Sequence, residues 1–277
     1  MNYLDDSFDL EDPELVSTID ELPLWSAPFG LKLLAAVRYR KNMSVLDVGC
    51  GTGFPLLELA MRLGTGCRLF GIDPWIGAMK RTRMKIAEYG IDNMQLIEGR
   101  AENIPLADNS VDLIVSNNGI NNVDDLERVI AECARVSKRG AQFLATVNLD
   151  TTMMEFYSVM EEVLRERGWV TEIEAMKKHI RAKRRPLGEL TALLEKNAFA
   201  HPIVTQDTFK YTFTSGTAML NHYFIRLAFL GPWKNIVPPE HQKSVFGQIE
   251  SRLNAQAEVN GCIHLSVPFA LIVSEKS

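Results

Sequence analysis

A glycine-rich turn follows directly on a short apolar segment, since residues 45–55 read VLDVGCGTGFP. Glycine is needed where a backbone turns sharply or comes close to a ligand, so the segment predicts a strand, a tight loop and then a helix. A dinucleotide-binding loop has the spacing G-x-G-x-x-G, but the sixth position is Phe54 counted from Gly49 and Leu56 counted from Gly51. A phosphate-binding P-loop is excluded as well, because no Gly-Lys-Ser or Gly-Lys-Thr follows the glycines.

Apolar runs alternate with amphipathic stretches from Met43 to Asn148. This alternation is typical of successive βαβ units and a parallel sheet. It predicts five strands, at residues 44–48, 68–72, 94–97, 112–116 and 142–147, and three helices, at residues 55–63, 76–89 and 124–136.

The order of elements changes after residue 150. We predict a long helical insertion at 151–183, a helix at 187–196, a sixth strand at 203–213, a mostly helical stretch at 216–257 and a final strand at 262–273. The length of 277 residues, with 46% hydrophobic residues, allows one or two domains. The predicted organisation is an N-terminal helical segment at 1–42 and an α/β domain at 43–277 with helical insertions near 151–183 and 216–257.

Two acidic residues lie beside the predicted glycine loop. Asp73 ends the second predicted strand, twenty residues after Gly53, and its carboxylate can accept hydrogen bonds from a ribose diol. A hydrogen bond to a charged group contributes about 1.5–3 kcal/mol, so this residue would favour a nucleoside. Asp47 precedes the loop and is suited to an amino group. A ligand with a ribose and an amine, but no phosphate, fits both acids.

These residues resemble the motifs of class I S-adenosylmethionine-dependent methyltransferases of the small-molecule type, such as the ubiquinone and menaquinone biosynthesis enzymes. The resemblance spans about residues 43–148 and rests on four ordered motifs, LDVGCGTG at 46–53, GID at 71–73, AENIPL at 101–106 and SVDLIV at 110–115. It implies a Rossmann-like, seven-stranded, mostly parallel sheet whose last strand is antiparallel. It also implies S-adenosylmethionine as cofactor, S-adenosylhomocysteine as product and direct displacement of the methyl group by a small-molecule acceptor.

The resemblance and the two acids together give a set of candidate cofactor-binding residues. They are Asp47, Gly49, Cys50, Gly51, Gly53, Asp73, Pro74, Trp75, Ala101, Glu102, Asn117 and Asn118. In many relatives an Asp that binds the adenine amino group precedes the third motif, but Arg100 stands there in this chain, so this contact falls to Glu102 or to backbone around Ala101.

Four asparagines, Asn117, Asn118, Asn121 and Asn122, follow the fourth predicted strand, where relatives often carry a pair of histidines. Two interpretations of these amides stay open. Ligands bind at the carboxyl edge of open parallel sheets, so the amides can line the site. They can equally cap the helix that begins near Asp124.

A catalytic residue is not identified by the sequence. A hydroxyl or carbon acceptor would need a base, and the candidates are His179, His201, His222, His241 and His264. Aromatic residues outside the predicted sheet are candidates for a lid over the site or for a core of their own; they are Trp25, Phe29, Phe156, Tyr157, Tyr223, Phe224 and Trp233. We predict that the 151–183 insertion and the N-terminal segment close over the cofactor.

The charge and the cysteine content of the chain indicate its cellular compartment and exclude some classes of binding partner. The formal charge is -5, and the first thirty residues carry eight acids and no Lys or Arg, unlike a secretory signal. The four cysteines have no paired or metal-ligand spacing, which favours a cytoplasmic protein with no metal. We expect no membrane and no nucleic-acid partner. The sequence carries no signal for an oligomeric state.

One basic run, with six Lys or Arg residues within residues 177–185, could attract phosphate. On a helix these positions spread around the circumference, which favours a solvated surface. Two alternative functions stay open: a cofactor-binding regulatory module without transferase activity, and an RNA or protein methyltransferase.

Overall fold

The computed structural model describes residues 2–22 and 24–277, and these residues form a single seven-stranded sheet with helices. The strands are β1 (Ser44–Val48), β2 (Arg68–Asp73), β3 (Met94–Glu98), β4 (Val111–Asn117), β5 (Ser137–Asn148), β6 (Phe199–Phe213) and β7 (Ile263–Lys276). Their order in the sheet is β3-β2-β1-β4-β5-β7-β6. The first five strands pair in parallel, and β7 pairs with β5 antiparallel. The predicted mostly parallel sheet with an antiparallel last strand is confirmed.

The helices are α1 (Pro13–Asp20), α2 (Ser26–Ala36), α3 (Leu56–Leu63), α4 (Ile76–Glu88), α5 (Leu126–Val136), α6 (Met154–Glu166), α7 (Val170–Lys183), α8 (Leu187–Lys196), α9 (Gly216–Asn221), α10 (Tyr223–Ile225), α11 (Gly231–Lys234) and α12 (Pro239–Asn260). Helix α5 shows why such segments become helical: its buried residues Leu126, Val129, Ile130 and Cys133 recur at the spacing of one helix face. The carboxylate of Asp125 caps it by accepting the backbone N–H of Arg128 at 3.0 Å.

The strand order reverses at β1, which pairs with β2 on one side and β4 on the other. Because these strands are parallel, the loops after them meet at the same edge of the sheet. Such a reversal leaves a crevice outside the carboxyl ends of the strands, which is where ligands bind in open α/β sheets. The glycine-rich loop after β1 and the asparagine-rich segment after β4 therefore both lie at this crevice.

The chain divides into two compact units. The sheet unit comprises Leu10–Asn148, Arg185–Asp207 and Phe269–Ser277, and the helical unit comprises the chain up to Asp9, Leu149–Arg184 and Thr208–Pro268. The sheet unit contains β1–β5 and helices α1–α5 and α8, whereas α6, α7 and α9–α12 belong to the helical unit.

In the sheet unit, the N-terminal segment is attached to α4. Asp20 accepts hydrogen bonds from Arg81 at 2.9 Å and from Lys85 at 2.7 Å. The indole N–H of Trp75 donates to the carbonyl oxygen of Leu10 at 2.7 Å. These contacts fix α1 beside the end of β2.

In the helical unit, the region of the predicted helical insertion at 151–183 contains two helices, α6 and α7. They are separated at Gly168, whose positive φ of 72° ends α6. Helix α6 buries six residues, Phe156, Tyr157, Val159, Met160, Val163 and Leu164. Among the helices of residues 2–22 and 24–277, none has the length and apolar character needed to cross a bilayer.

Candidate cofactor site

A cavity of about 290 Å³ lies in the sheet unit, at the carboxyl ends of β1, β2 and β4. Seven of the twelve candidate cofactor-binding residues line it: Gly49, Asp73, Pro74, Ala101, Glu102, Asn117 and Asn118. They come from four loops that are far apart in sequence. The fold thus brings most of the candidate residues to one cavity.

Two glycines form a close backbone contact in the wall of this cavity. Gly49 has a φ of +78°, and a Cβ atom on it would lie only 2.7 Å from the Cα atom of Gly119. Both glycines line the cavity. A side chain on either residue would force the two loops apart, so glycine is required at both positions.

Asp73 connects the glycine-rich loop to the end of β2. Its Oδ2 atom accepts the backbone N–H of Gly51 at 2.9 Å, and its Oδ1 atom accepts the backbone N–H of Trp75 at 2.8 Å. Burial raises the pKa of Asp73, and these two N–H bonds partly oppose that shift. Each carboxylate oxygen has a second lone pair, so the group can still accept a hydrogen bond from a hydroxyl in the cavity.

Asp47 is completely buried in β1, and neither of its carboxyl oxygens has a hydrogen-bond partner within residues 2–22 and 24–277. Burial, with a smaller contribution from the charge of Asp73, raises the pKa of Asp47 to about 8. An unpartnered buried carboxylate is costly, so the side chain is mostly protonated at neutral pH.

A charged pair also lines the cavity. The guanidinium of Arg100 donates a hydrogen bond to the carboxylate of Asp124. Glu102 Oε1 accepts the backbone N–H groups of Asp124 and Asp125, at 3.0 and 3.1 Å. One oxygen of Glu102 therefore holds the loop before α5. Asp124 was not among the candidate residues, because from sequence it looks like part of a helix start.

The asparagine segment after β4 lies partly at the cavity. Asn117, Asn118 and Asn122 line it. The Asn117 amide donates to the carbonyl oxygen of Ser26 at 3.0 Å and accepts the hydroxyl of Thr146 at 2.9 Å, so it joins α2 to the sheet. The cap of α5 is Asp125 rather than an asparagine.

Five candidate residues do not line the cavity: Asp47, Cys50, Gly51, Gly53 and Trp75. The Cys50 thiol lies 3.7 Å from the Met79 sulfur in the hydrophobic core. Burial, followed by the charges of Asp47 and Asp73, raises the pKa of that thiol well above its ordinary value. The Cys50 side chain is therefore a core residue.

Other residues line the cavity that were not among the candidate cofactor-binding residues. Ser26 and Trp25 reach it from the start of α2, and Val48, Ile72 and Gly119 reach it from strand ends and the loop after β4. Ser26 and Trp25 are distant from the motifs in sequence, and only the packing of α2 brings them there. The five histidines do not occur among the described residues that line the cavity.

Comparisons with known proteins identify this part of the chain. Residues 46–145 match a family model described as a methyltransferase domain. This segment is a methyltransferase domain. The predicted resemblance to class I S-adenosylmethionine-dependent methyltransferases is thereby confirmed for it.

A demethylmenaquinone methyltransferase of Listeria monocytogenes is similar to the methyltransferase domain, with 36% identity over 106 residues. The match covers 38% of this chain and 45% of that protein, so the chain spans less than half the length of this curated relative.

Solved structures share the fold over most of the chain. The YcgJ protein from Bacillus subtilis has a TM-score of 0.59 and 18% identity, and the match covers 90% of this chain and 98% of YcgJ. The [4+2]-cyclase SpnF has a TM-score of 0.54 and 16% identity, with 90% of this chain and 80% of SpnF covered. At such identities these matches concern the fold alone.

Proposed function

We propose that the chain is an enzyme that binds S-adenosylmethionine in the cavity of the sheet unit and transfers the methyl group to a small-molecule acceptor. The position of the Asp73 carboxylate is the observation that supports the proposal most strongly. The carboxylate lies at the cavity, is oriented by two backbone N–H groups and keeps lone pairs for a ribose diol.

The rest of the cavity fits the other parts of this cofactor. The close pair Gly49 and Gly119 holds two of the loops that line the cavity together, with backbone and no side chain at the cavity wall. Ala101, Glu102 and Asp124 line the same cavity and are candidates to contact the adenine. We also propose Asp47, which precedes the glycine-rich loop, as the partner of the amino group of the methionine part; its orphaned carboxyl is buried in β1, so this contact needs the loop to move. We keep the full set of twelve residues as the proposed cofactor site.

When bound, S-adenosylmethionine supplies an electrophilic methyl group on a sulfonium. The chain's residues orient the cofactor and exclude water. Well-oriented reactants gain roughly 7–11 kcal/mol over free collision, so positioning can supply much of the rate without a catalytic base. We propose no base, and the acceptor atom determines whether one is needed.

A small-molecule acceptor is supported by the Listeria relative, whose name gives demethylmenaquinone as its methyl acceptor. The formal charge of -5 argues against RNA as the acceptor. A cofactor-binding regulatory module without methyl transfer is the second candidate, because Asp73 and the glycines indicate binding of a cofactor and not the chemistry of its transfer. Fold alone does not decide between them.

Two measurements test the proposal. Titration calorimetry with S-adenosylmethionine and S-adenosylhomocysteine should detect binding of both compounds. Incubation with a small-metabolite extract should convert bound S-adenosylmethionine to S-adenosylhomocysteine. Binding without conversion over a broad set of acceptors would favour the binding module, and loss of the reaction after Asp73→Ala would connect turnover to this cavity.

Two further predictions stay proposals. The role of the 151–183 insertion as a lid predicts that changes there abolish turnover and leave cofactor affinity intact. Because α6 forms part of the core of the helical unit, point substitutions test the lid role better than deletion of the insertion.

A cytoplasmic location is proposed because all four cysteines are unpaired.

A further inference from the structure

A second cavity, of about 390 Å³, lies in the sheet unit at the edge of the sheet opposite to the cofactor cavity. Its wall is built from the amino ends of β4 and β5, from the segment between α2 and β1, and from the carboxyl end of β7. The antiparallel β7 reaches this edge because Glu275 pairs with Gln142 in the first half of β5. The two cavities share no lining residue. The second cavity is therefore a separate space, and its volume is typical of small-molecule sites.

The start of β5 is irregular where it lines this cavity. The pairing between β4 and β5 shifts there, so that the single residue Asp112 of β4 lies opposite residues 138–141 of β5. Gly140 within this bulge has a φ of +77°, which residues with a side chain rarely adopt. Bulges change the direction of side chains and are frequent beside functional sites. In this chain the bulge contributes Arg139 and Gly140 to the cavity wall.

The two acidic residues of the wall each have a basic partner of their own. The Oδ2 atom of Asp112 accepts hydrogen bonds from the Lys138 ammonium at 2.7 Å and from the backbone N–H of Ser44 at 2.8 Å. The Oε2 atom of Glu275 lies 2.8 Å from the Nη2 atom of Arg38. The charges of both acids are thus compensated before any other arginine of the wall is considered.

Two further arginines of the wall, Arg40 and Arg139, have no ion-pair partner in the part of the chain that the structure describes. Both residues are exposed, so their guanidinium groups can reach a ligand without any change in the core. The cavity therefore carries two uncompensated positive charges, although the formal charge of the whole chain is -5. This positive charge is a local property of the cavity, and it favours an anion there.

We propose that this second cavity binds a phosphate group, as the free ion or as the monoester of a small polar molecule, through the guanidinium groups of Arg40 and Arg139. A phosphate monoester carries a charge of about -1.5 to -2 at pH 7. That charge matches the two uncompensated cations, whereas a monocarboxylate would leave one of them unmatched. The planar guanidinium donates paired hydrogen bonds to phosphate oxygens.

The remainder of the wall indicates the kind of molecule that carries the phosphate. Apart from Gly140 and Ala141, all the lining residues are charged. Such a wall suits a polar body such as a polyol or a sugar, and it does not suit an apolar ring. The site goes beyond the proposed methyl transfer and does not depend on it.

The test uses the full-length chain in a phosphate-free buffer at constant ionic strength. Titration calorimetry is run with inorganic phosphate, glycerol 3-phosphate and glucose 6-phosphate, and with acetate, glycerol and glucose as controls. We expect at least one phosphate compound to bind at least tenfold more tightly than acetate, and glycerol and glucose not to bind. Tighter binding of an ester than of inorganic phosphate would identify an organic phosphate, and equal binding would identify the free ion; both results support the site. No binding of any of the three phosphates, or equal binding of acetate, would overturn the proposal.

Two variants locate the site. Arg40→Gln and Arg139→Gln should each weaken phosphate binding at least tenfold. Arg185→Gln is the matched control, because Arg185 is exposed, does not line the cavity and carries the same charge. Unchanged binding by Arg40→Gln and Arg139→Gln, or an equal loss with Arg185→Gln, would overturn the assignment.

A third variant should strengthen binding. Glu275→Gln removes a negative charge from the wall and releases Arg38 from its ion pair, so the phosphate compound should bind several-fold more tightly than to the unsubstituted chain. The exposed change Glu21→Gln, in α1's C-cap, should have no effect. Weaker or unchanged binding with Glu275→Gln would contradict the match of charge on which the proposal rests.

Larger partners that carry phosphate are tested on the same samples with a single-stranded RNA oligonucleotide and with phosphatidylglycerol vesicles. Binding of either one that is lost in Arg40→Gln and Arg139→Gln, with no binding of the three small phosphates, would overturn the proposal of a small ligand.

Calorimetry with S-adenosylhomocysteine separates the two proposals, because failure of the unsubstituted chain to bind that compound contradicts the methyltransferase and not this site. Urea unfolding shows whether each variant is folded. The comparison of the phosphates with acetate on the unsubstituted chain remains decisive when a variant does not fold.

Discussion

Gly49 and Gly119 meet backbone to backbone in the wall of the candidate cofactor cavity. A Cβ atom on Gly119 would lie 2.3 Å from the carbonyl oxygen of Val48 and 3.0 Å from the Cα atom of Gly49. The obstructing atoms are backbone, which cannot rotate away as a flexible side chain can. The separation of the two loops is therefore set by the absence of side chains at both positions.

Gly119→Ala should destabilise the protein and weaken cofactor binding. Forcing one extra carbon into a packed region costs about 1–3 kcal/mol, and the loops that line the cavity must move apart to accept it. Urea unfolding measures the first effect, and calorimetry with S-adenosylhomocysteine measures the second.

Gly188→Ala in α8 is the control for this substitution, because a Cβ atom there has no neighbour within 4 Å. Alanine also favours a helix over glycine, so this variant should be neutral or slightly more stable. Equal effects of the two substitutions would contradict the close contact at Gly119.

Asp73→Ala should weaken the binding of S-adenosylhomocysteine roughly ten- to a hundredfold, as expected for loss of a charged hydrogen bond. The variant also removes the acceptor for two backbone N–H groups, so lower affinity alone does not show a contact with ribose. The exposed change Asp92→Ala is the matched control and should have no effect.

A 2′-deoxy analogue of S-adenosylhomocysteine separates these two effects of Asp73. The analogue should bind the unsubstituted chain more weakly than the parent compound. Asp73→Ala should bind both compounds with similar affinity, because the hydroxyl has lost its acceptor. Equal affinities for the unsubstituted chain would show that Asp73 supports the loop and does not contact the 2′ hydroxyl.

The central strands could be predicted well because their signal is local. β1 begins and ends at the predicted residues, since its apolar, β-branched run stops at the glycine loop. β5 begins at Ser137 and not at the predicted residue 142, because Lys138 and Arg139 are polar and resemble a loop. β6 begins at Phe199 and not at the predicted residue 203, so it includes Pro202. It is the last strand of the sheet order, and proline is tolerated in an edge strand.

The walls of the cavity were less predictable because tertiary contacts decide them. Asp73 follows from its motif, but the pairing of Asp124 with Arg100 joins two loops that the sequence does not relate. Ser26 reaches the site only because α2 packs beside β4.

Asp20→Asn should lower the free energy of unfolding by about 1–2 kcal/mol at neutral pH, because two partly exposed charge-assisted hydrogen bonds are weakened. Burial alone would raise the pKa of Asp20, but the hydrogen bonds from Lys85 and Arg81 outweigh it and lower the pKa. The stabilisation is thus present above the unfolded pKa near 4 and is lost as the pH falls through the lower folded value.

The exposed change Glu21→Gln is the control for Asp20. Urea unfolding at pH 7 and at pH 3 measures the effect. The difference between Asp20→Asn and the unsubstituted chain should shrink at the lower pH. A difference that is the same at both pH values would show that the charge of Asp20 does not contribute.

Asp47 should make the ligand-free protein less stable as the pH rises. Its pKa is raised to about 8 in the folded protein, first by burial and then by Asp73, whereas it is near 4 in an unfolded chain. Between these values the folded protein holds a proton that unfolding releases. Its contribution to the free energy of unfolding therefore falls with rising pH, by at most about 1.4 kcal/mol per pH unit.

Asp47→Asn removes this titration and keeps the shape of the side chain. The free energy of unfolding of the variant relative to the unsubstituted chain should increase steadily from pH 5 to pH 8, as measured by urea unfolding at each pH. Asp92→Asn, at an exposed site, should follow the unsubstituted chain throughout. Parallel curves for Asp47→Asn and the unsubstituted chain would mean that Asp47 is ionised in the folded state, with a partner that satisfies its charge.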